Sequence, residues 1–177
     1  MGWNTTALFV HDRSVDDLVD SLADVVSCLK DDQQVTADQA WSFSPGDRVY
    51  IVETAGWAQM WDPDGWFAGN VKGWLDRGGL GALKGTQALA VQFSSVMSTY
   101  AFWLFDDGEL VRHVCYENGE PSNILGGIVG EPLSIEDQVE FPSWGPDEDF
   151  LWSVIENVTG LTADINQQFN AYGLVWH

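Results

Sequence analysis

The sequence predicts one α+β domain over residues 1–177, in which an antiparallel sheet of five or six strands packs against two or three helices. Three observations support this fold class. A block of three strand-like segments lies near the centre of the chain, and a helical pattern of apolar residues occurs towards each end. The 177 residues, 45% of them hydrophobic, suit a single domain with a full core of its own.

The central block runs from Gln87 to Glu117 and predicts strands over 88–94, 99–105 and 109–117. β-Branched and aromatic residues dominate these segments, and turn residues separate them. Both faces of the segments are largely apolar. We therefore expect them in the middle of the sheet, covered on both sides.

The turn between the last two segments determines how they pair. Asp107-Gly108 supplies the positive φ angles of a two-residue hairpin turn, which places Phe105 opposite Leu110 and Trp103 opposite Arg112. A three-residue loop that begins one residue earlier would shift this pairing by one position.

The chain before this block predicts two strands that form a hairpin, one further strand and two helices. In chain order these are a strand over Thr5–Val10, a helix over 14–28, strands over 48–53 and 57–61, and a helix from Trp66 to Arg77. Ser14 caps the first helix, and Asp16 and Asp17 lie in its first turn. Residues 31–34 predict a polar loop, and 35–43 are compatible with a short strand or with irregular structure.

The chain after the block predicts loops and one last helix over 147–159. Acidic residues occupy its first turn, where they complement the helix dipole, and Gly160 ends it. This helix is the last element that the sequence predicts.

Charge is the strongest feature of the composition. There are 27 acidic residues against seven Lys and Arg, which gives a formal net charge of −20. The last Lys or Arg is Arg112, and eleven Asp and Glu follow it. Such a surface repels phosphate backbones, so ordinary nucleic-acid binding is not expected.

Three interpretations of this charge stay open. The residues can serve solubility or adaptation to high salt, which the excess of Asp and the scarcity of Lys suit. They can dock a basic protein partner whose association the electric field steers. They can also mimic nucleic acid towards a nuclease or a repressor.

The ten tryptophans offer a different function. Trp57 and Trp61 share strand parity and point to one side, and Trp66 follows closely, with Asp62 and Asp64 between them. Indole rings beside carboxylates are typical of a carbohydrate-binding platform and also of a protein interface. The alternative is that these rings fill the core.

Several other motifs carry no chemistry. Residues 79–86 contain the glycines and the lysine of a phosphate loop, but in the wrong order and before a strand. His113 and Cys115 lie two apart on a strand, too far for a thiolate–imidazole pair, and predict burial. We expect no catalytic residue, no cofactor and no metal site, and the sequence favours a protein that is not an enzyme.

No segment is long and apolar enough to span a membrane, and the first residues do not resemble a secretory signal. Cys28 and Cys115 fit buried free thiols. These features predict a cytoplasmic protein, and they leave its oligomeric state open.

The region from Tyr100 to Glu140 carries a resemblance. It contains an aromatic strand at 102–105, the hairpin sequence Asp-Gly-Glu-Leu-Val-Arg at 107–112, and Gly-Glu-Pro-Leu at 130–133 before Glu136. This pattern resembles uncharacterised bacterial stand-alone α+β proteins. More loosely, a small acidic single-domain protein of this shape resembles the immunity proteins of bacterial toxin systems. The resemblance implies a role in binding and blocking a toxin, and it carries over no catalytic residue.

The sequence thus favours an acidic, cytoplasmic protein-binding module that docks a basic protein such as a toxin. The expected contact patch consists of acidic side chains in the Lys- and Arg-free part of the chain. These are Glu136, Asp137, Asp147, Glu148 and Asp149. The alternatives are a carbohydrate-binding or hydrolytic protein that uses the Trp-rich segment 57–76, and a salt-adapted protein of another role.

Overall fold

The computed structural model describes residues 3–24, 26–42, 46–65 and 83–177. The strands are β1 (Asn4–His11), β2 (Val26–Thr36), β3 (Arg48–Thr54), β4 (Trp57–Asp62), β5 (Gln87–Ser94), β6 (Thr99–Asp106), β7 (Glu109–Glu117), β8 (Glu120–Pro121) and β9 (Gln168–Trp176). The helices among these residues are α1 (Val15–Ser21), α2 (Ala37–Trp41), α3 (Ser134–Gln138) and α4 (Glu148–Thr159). The predicted helix from Trp66 to Arg77 lies outside the described residues.

All nine strands form one antiparallel sheet in the order β2-β9-β3-β4-β1-β5-β6-β7-β8. The α+β class is confirmed, but the sheet has nine strands where five or six were predicted. The six predicted strands are all present. The three additional strands are β2, β8 and β9.

The missed strands lack the pattern that makes a strand visible in sequence. β2 is mostly polar (VSCLKDDQQVT) and lies at the edge of the sheet, so it has little apolar alternation to show. β9 contains Asn170 and Gly173, which are unfavourable in strands. β8 is only two residues long.

The predicted helix over 14–28 is wrong in its second half. Ser14 does form the expected capping box with Asp17, but α1 ends at Ser21. Val26 begins β2 and pairs with Trp176 of β9. Leu18, Leu22 and Val26 are all buried at helical spacing, and this coincidence mimics a longer helix although Val26 belongs to a strand.

The late helix is confirmed as α4. Asp147 is its N-cap, and Gly160 ends it in the left-handed conformation with φ 74°. Phe150, Leu151, Val154 and Ile155 are buried, as the spacing of the apolar residues predicts.

The central hairpin turns at Asp107-Gly108 as predicted, with positive φ at both residues. Phe105 faces Leu110, but the register then shifts, so that Leu104 faces Arg112 and Trp103 faces His113. The predicted pairing of Trp103 with Arg112 is therefore wrong. The cause is a bulge at Val111, which leaves one extra residue on β7.

The core occupies both faces of the sheet. Leu8, Met60 and Trp103 belong to a cluster on the face that α1 covers, whereas Phe9, Trp61 and Phe102 lie on the opposite face against α2 and α4. Because successive strand residues point to opposite faces, this double cover explains the nearly continuous apolar segments in the sequence. β6 lies between β5 and β7, inside the sheet as expected.

Candidate protein-binding surface

The predicted acidic patch does not form as one exposed group, because Glu136 is buried in an ion pair. The Nε of Arg112 donates to Glu136 Oε2 at 2.9 Å, and its Nη2 donates to Oε1 at 2.5 Å. Each of the two side chains is only 5% exposed. The Glu136 side chain therefore has little surface to offer a partner, unlike the exposed carboxylates predicted with it.

This ion pair fastens the segment that follows β8 onto β7. Arg112 Nη1 also donates to the carbonyls of Val129 and Gly130, at 3.2 and 2.9 Å. Glu136 Oε2 in turn accepts the backbone N–H of Leu133 at 2.6 Å. A buried charge is tolerated when its polar atoms are satisfied in this way.

Two further members of the predicted patch also have structural contacts. Asp147 accepts the backbone N–H of Asp149 at 3.1 Å as the N-cap of α4. Glu148 accepts the hydroxyl of Ser95 at 2.5 Å, and Ser95 Oγ accepts the backbone N–H of Trp3 at 2.7 Å. Asp137 and Asp149 remain exposed.

The most prominent exposed side chain near these residues is Trp144, which is 71% exposed. It lies in a turn closed by a hydrogen bond from the N–H of Gly145 to the carbonyl of Pro142, at 2.9 Å. Tryptophan is usually well buried in a monomer, so the exposed indole makes this turn a candidate contact site.

The Trp144 turn is held by direct contact between backbones. Gly145 packs against Gly119, and a β-carbon on Gly145 would overlap the Gly119 backbone. A β-carbon on Gly119 would lie 2.8 Å from the Trp144 carbonyl oxygen. Both glycines also have positive φ. The backbone that carries the indole is thus held by close contact, and the ring itself extends into solvent.

A second anchor precedes the turn. The ring of Phe141 packs edge-to-face on Tyr116 and Phe150, with centroid distances of 5.5 and 5.2 Å. Phe141 therefore joins the turn to β7 and α4, while part of its ring stays exposed.

Acidic residues lie near this turn in the sequence and in the hairpin that contacts it. We define the Trp144 face as Trp144 with Glu117, Glu120, Asp137, Glu140 and Asp149. Glu117 and Glu120 pair across the β7–β8 hairpin that contains Gly119, and α3, which carries Asp137, contacts α4, which carries Asp149. Among the described residues, none of these carboxylates has a Lys or Arg within ion-pair distance.

The sequence around Trp144 predicts a loop, and it also contains a signal for the exposure of the ring. In Pro142-Ser143-Trp144-Gly145-Pro146, the prolines and the glycine exclude the tryptophan from any helix or strand. An aromatic residue in such a loop has few ways to be buried. The burial of Glu136, in contrast, depends on Arg112 and has no local signal.

The two described tryptophans of the predicted aromatic platform are buried. Trp61 is fully buried among other rings, including Phe9 and Trp41. Trp57 is 5% exposed beside the His11 ring. Neither ring can stack on a ligand from solvent in this arrangement, and Trp66 lies outside the described residues.

The two carboxylates of that platform belong to a turn. Asp62 is buried and accepts the backbone N–H of Asp64 at 3.1 Å, and Asp64 is exposed. Partial burial raises the pKa of Asp64, the backbone of Gly46 opposes this, and the charge of Asp47 adds to it. These groups stabilise the end of β4.

His113 and Cys115 are buried, as predicted. His113 Nδ1 donates to the Phe102 carbonyl at 2.7 Å, and its ring stacks on Trp103 with centroids 4.6 Å apart. Burial lowers the pKa of His113, and burial raises the pKa of Cys115 to about 11. The thiol is therefore protonated at neutral pH and is not an activated nucleophile.

Among the described residues, no three His, Cys, Asp or Glu side chains are placed to hold a metal ion. None of the helices in the same part of the chain is long and apolar enough to cross a membrane. No family model, no curated protein and no solved structure matches the chain.

Proposed function

We propose that this protein is a binding module that docks a basic protein partner through the Trp144 face. The observation that carries the proposal is the exposure of Trp144 on a turn fixed by backbone contact. Binding energy at protein interfaces concentrates in a few residues, and tryptophan is among the commonest of them. A turn whose backbone is already held in position loses little conformational entropy on binding.

The charge of the surface determines the kind of partner. The chain after Arg112 has eleven acidic residues and no Lys or Arg, and only Glu136 among them is neutralised by an ion pair in the described structure. A negative surface speeds the approach of a positive one and disfavours acidic partners. We therefore expect a basic partner with an apolar pocket for the indole.

A toxin with a basic surface, such as a nuclease, fits these requirements. The module would then act in the cytoplasm as an immunity-like protein that covers the toxin's positively charged substrate site. The loose resemblance of this small acidic single domain to immunity proteins supports this interpretation without identifying the toxin.

The test compares three immobilised proteins: the wild type, Trp144→Ala and Leu29→Ala. Leu29 is a matched control, because it is 60% exposed and lies on β2, at the opposite end of the sheet. Extracts of the source cells and the purified toxins encoded beside the gene are passed over each protein. We expect the wild type and Leu29→Ala to retain the same basic protein and Trp144→Ala to lose it.

The affinity for that partner is then measured by calorimetry. Loss of a central tryptophan should weaken binding by about 2 kcal/mol or more, which is roughly 30-fold. Unfolding free energy should change by less than about 0.5 kcal/mol, since the ring is exposed. Equal retention by the wild type and Trp144→Ala, or a partner that is acidic, would contradict the proposal.

A further inference from the structure

The turn between β5 and β6 presents two apolar side chains to solvent. Val96 is 81% exposed and Met97 is 59% exposed. They occupy the central positions of a turn that is closed by a hydrogen bond from the N–H of Ser98 to the carbonyl of Ser95, at 3.3 Å. Surface turns usually carry polar residues and glycine at such positions. Two apolar side chains there contribute little to the core and form a candidate contact site.

The backbone of this turn is held from one side by the residues around Ser95. The N–H of Ser95 donates to the carbonyl of Trp3 at 2.7 Å, and the N–H of Trp3 donates to Ser95 Oγ at 2.7 Å. The Ser95 hydroxyl donates in turn to Glu148 Oε1 at 2.5 Å. These bonds tie the turn to the residue before β1 and to the start of α4, while Val96 and Met97 extend into solvent.

The other side of the turn leads to the Trp144 face. The carbonyl of Ser98 accepts the N–H of Asn118 at 2.9 Å. Asn118 precedes Gly119, whose backbone contacts the backbone of Trp144 and Gly145. The three turns are thus successive neighbours at one end of the sheet. Because β6 and β7 are adjacent, the β5–β6 and β7–β8 turns are about two strand spacings apart, or about 10 Å.

The charge near these turns selects among the possible occupants of the apolar side chains. Glu148 is bonded to the β5–β6 turn, and Glu117 and Glu120 flank the turn at Asn118 and Gly119. An anionic membrane surface would be repelled by these carboxylates, and so would a second copy of a chain with a net charge of −20. Charge complementarity favours a basic protein.

We propose that the β5–β6 turn is a second contact element beside the Trp144 face, so that one basic partner buries Val96 and Met97 together with Trp144. This inference rests on the function proposed above and specifies the partner further. Its binding site is an apolar strip at least about 10 Å long with Lys or Arg at its border. The flexible thioether of Met97 adapts its packing to such a strip.

The first test follows Met97 directly, by NMR of the full-length protein labelled with ¹³C at its methionine methyl groups. Met60 is fully buried and serves as the internal control. The probe is a synthetic amphipathic helix of leucine and lysine, which presents an apolar stripe between basic side chains. We expect the Met97 signal to shift saturably with added peptide and the Met60 signal to stay in place.

The second test measures the affinity for the same peptide by calorimetry. Val96→Ser/Met97→Ser should weaken binding about tenfold. Ile165→Ser is the matched control, because Ile165 is 71% exposed and precedes β9 at the opposite end of the strands. It should bind like the wild type. All three side chains are exposed, so neither variant should change the melting temperature appreciably.

Trp144→Ala distinguishes this inference from the function on which it rests. If Trp144→Ala weakens binding but the double variant binds like Ile165→Ser, or the Met97 signal does not move, the inference is overturned and the proposed function stands. If neither Trp144→Ala nor the double variant weakens binding, both are contradicted. A Met97 shift caused by anionic vesicles and not by the peptide, or by a higher protein concentration alone, would overturn the inference in favour of a membrane or a second copy.

Discussion

Among the acidic side chains, Glu136 has the clearest structural role. By sequence it belongs with the acidic residues around it, but in the structure its carboxylate accepts hydrogen bonds from the Arg112 side chain and from the backbone N–H of Leu133. Its charge therefore contributes to the integrity of the 129–136 segment.

We expect Arg112→Leu to lower the free energy of unfolding by about 3–5 kcal/mol, because it leaves Glu136 buried without its counter-charge. The double variant Arg112→Leu/Glu136→Leu should recover a large part of this loss, since neither charge is then buried. Equilibrium urea unfolding measures both. A single-variant loss below about 1 kcal/mol would mean that the ion pair does not form in solution.

At the residue scale, the sequence predicts interactions between neighbouring residues, such as helix caps. It does not predict which distant side chains form an ion pair. Ser14 caps the first helix as expected, and Asp147, predicted in the first turn of the last helix, is its N-cap. Both act locally, because a capping residue acts within three positions of itself. Arg112 and Glu136 are 24 residues apart. Nothing in the neighbourhood of Glu136 indicates which cation it will meet.

At the element scale, the predicted strands have a local signal in their own sequence, whereas the missed strands depend on pairing with distant segments. The central strands carry apolar residues on both faces and could be identified directly. β2 and β9 stabilise each other at the end of the sheet, although Val26 and Trp176 lie at nearly opposite ends of the sequence. Their pairing depends on the completed sheet, so propensity within either segment is a weak guide.

The contact between Gly119 and Gly145 holds the backbone of the Trp144 turn, and its contribution to stability can be measured. Gly145→Ala should destabilise the protein by about 1–3 kcal/mol more than Gly126→Ala. Both residues have positive φ, at 99° and 115°, but only Gly145 lacks room for a β-carbon. Gly126→Ala therefore measures the cost of backbone strain alone. The difference between the two variants measures the cost of the steric overlap.

Thermal and urea unfolding of the two variants provide the comparison. Gly145→Ala should also lower the affinity for the partner that the wild type retains, because it displaces the turn that carries the indole. Equal losses in the two glycine variants would show that the 119–145 contact is not tight in solution.

For the molecule as a whole, the net charge of −20 is the main unexplained property. Repulsion among carboxylates disfavours the compact state, and salt screens it as the Debye length shortens from about 30 Å at 0.01 M to about 3 Å at 1 M. Salt adaptation and a docking surface both predict that sodium chloride raises the melting temperature. The two interpretations differ in which carboxylates, when neutralised, raise the melting temperature most.

We expect the triple variant Glu120→Gln/Glu131→Gln/Glu140→Gln to raise the melting temperature at low salt more than Asp24→Asn/Asp32→Asn/Glu53→Gln does. All six side chains are exposed, and none lies in the first turn of a helix or in an ion pair of the described structure. The first set lies in the stretch without Lys or Arg. Equal gains would favour charge spread evenly for salt tolerance.

The two ends of the sheet have a consequence for how the protein behaves when it is concentrated. An open strand edge can recruit a strand from another molecule and begin aggregation. Here β8 stops after two residues at Pro121, which has no N–H to offer, and β2 carries a register shift between Lys30 and Gln34 with Asp31 and Asp32 inside it. Both margins therefore discourage growth, and the nine strands can form one wide sheet that stays a discrete molecule.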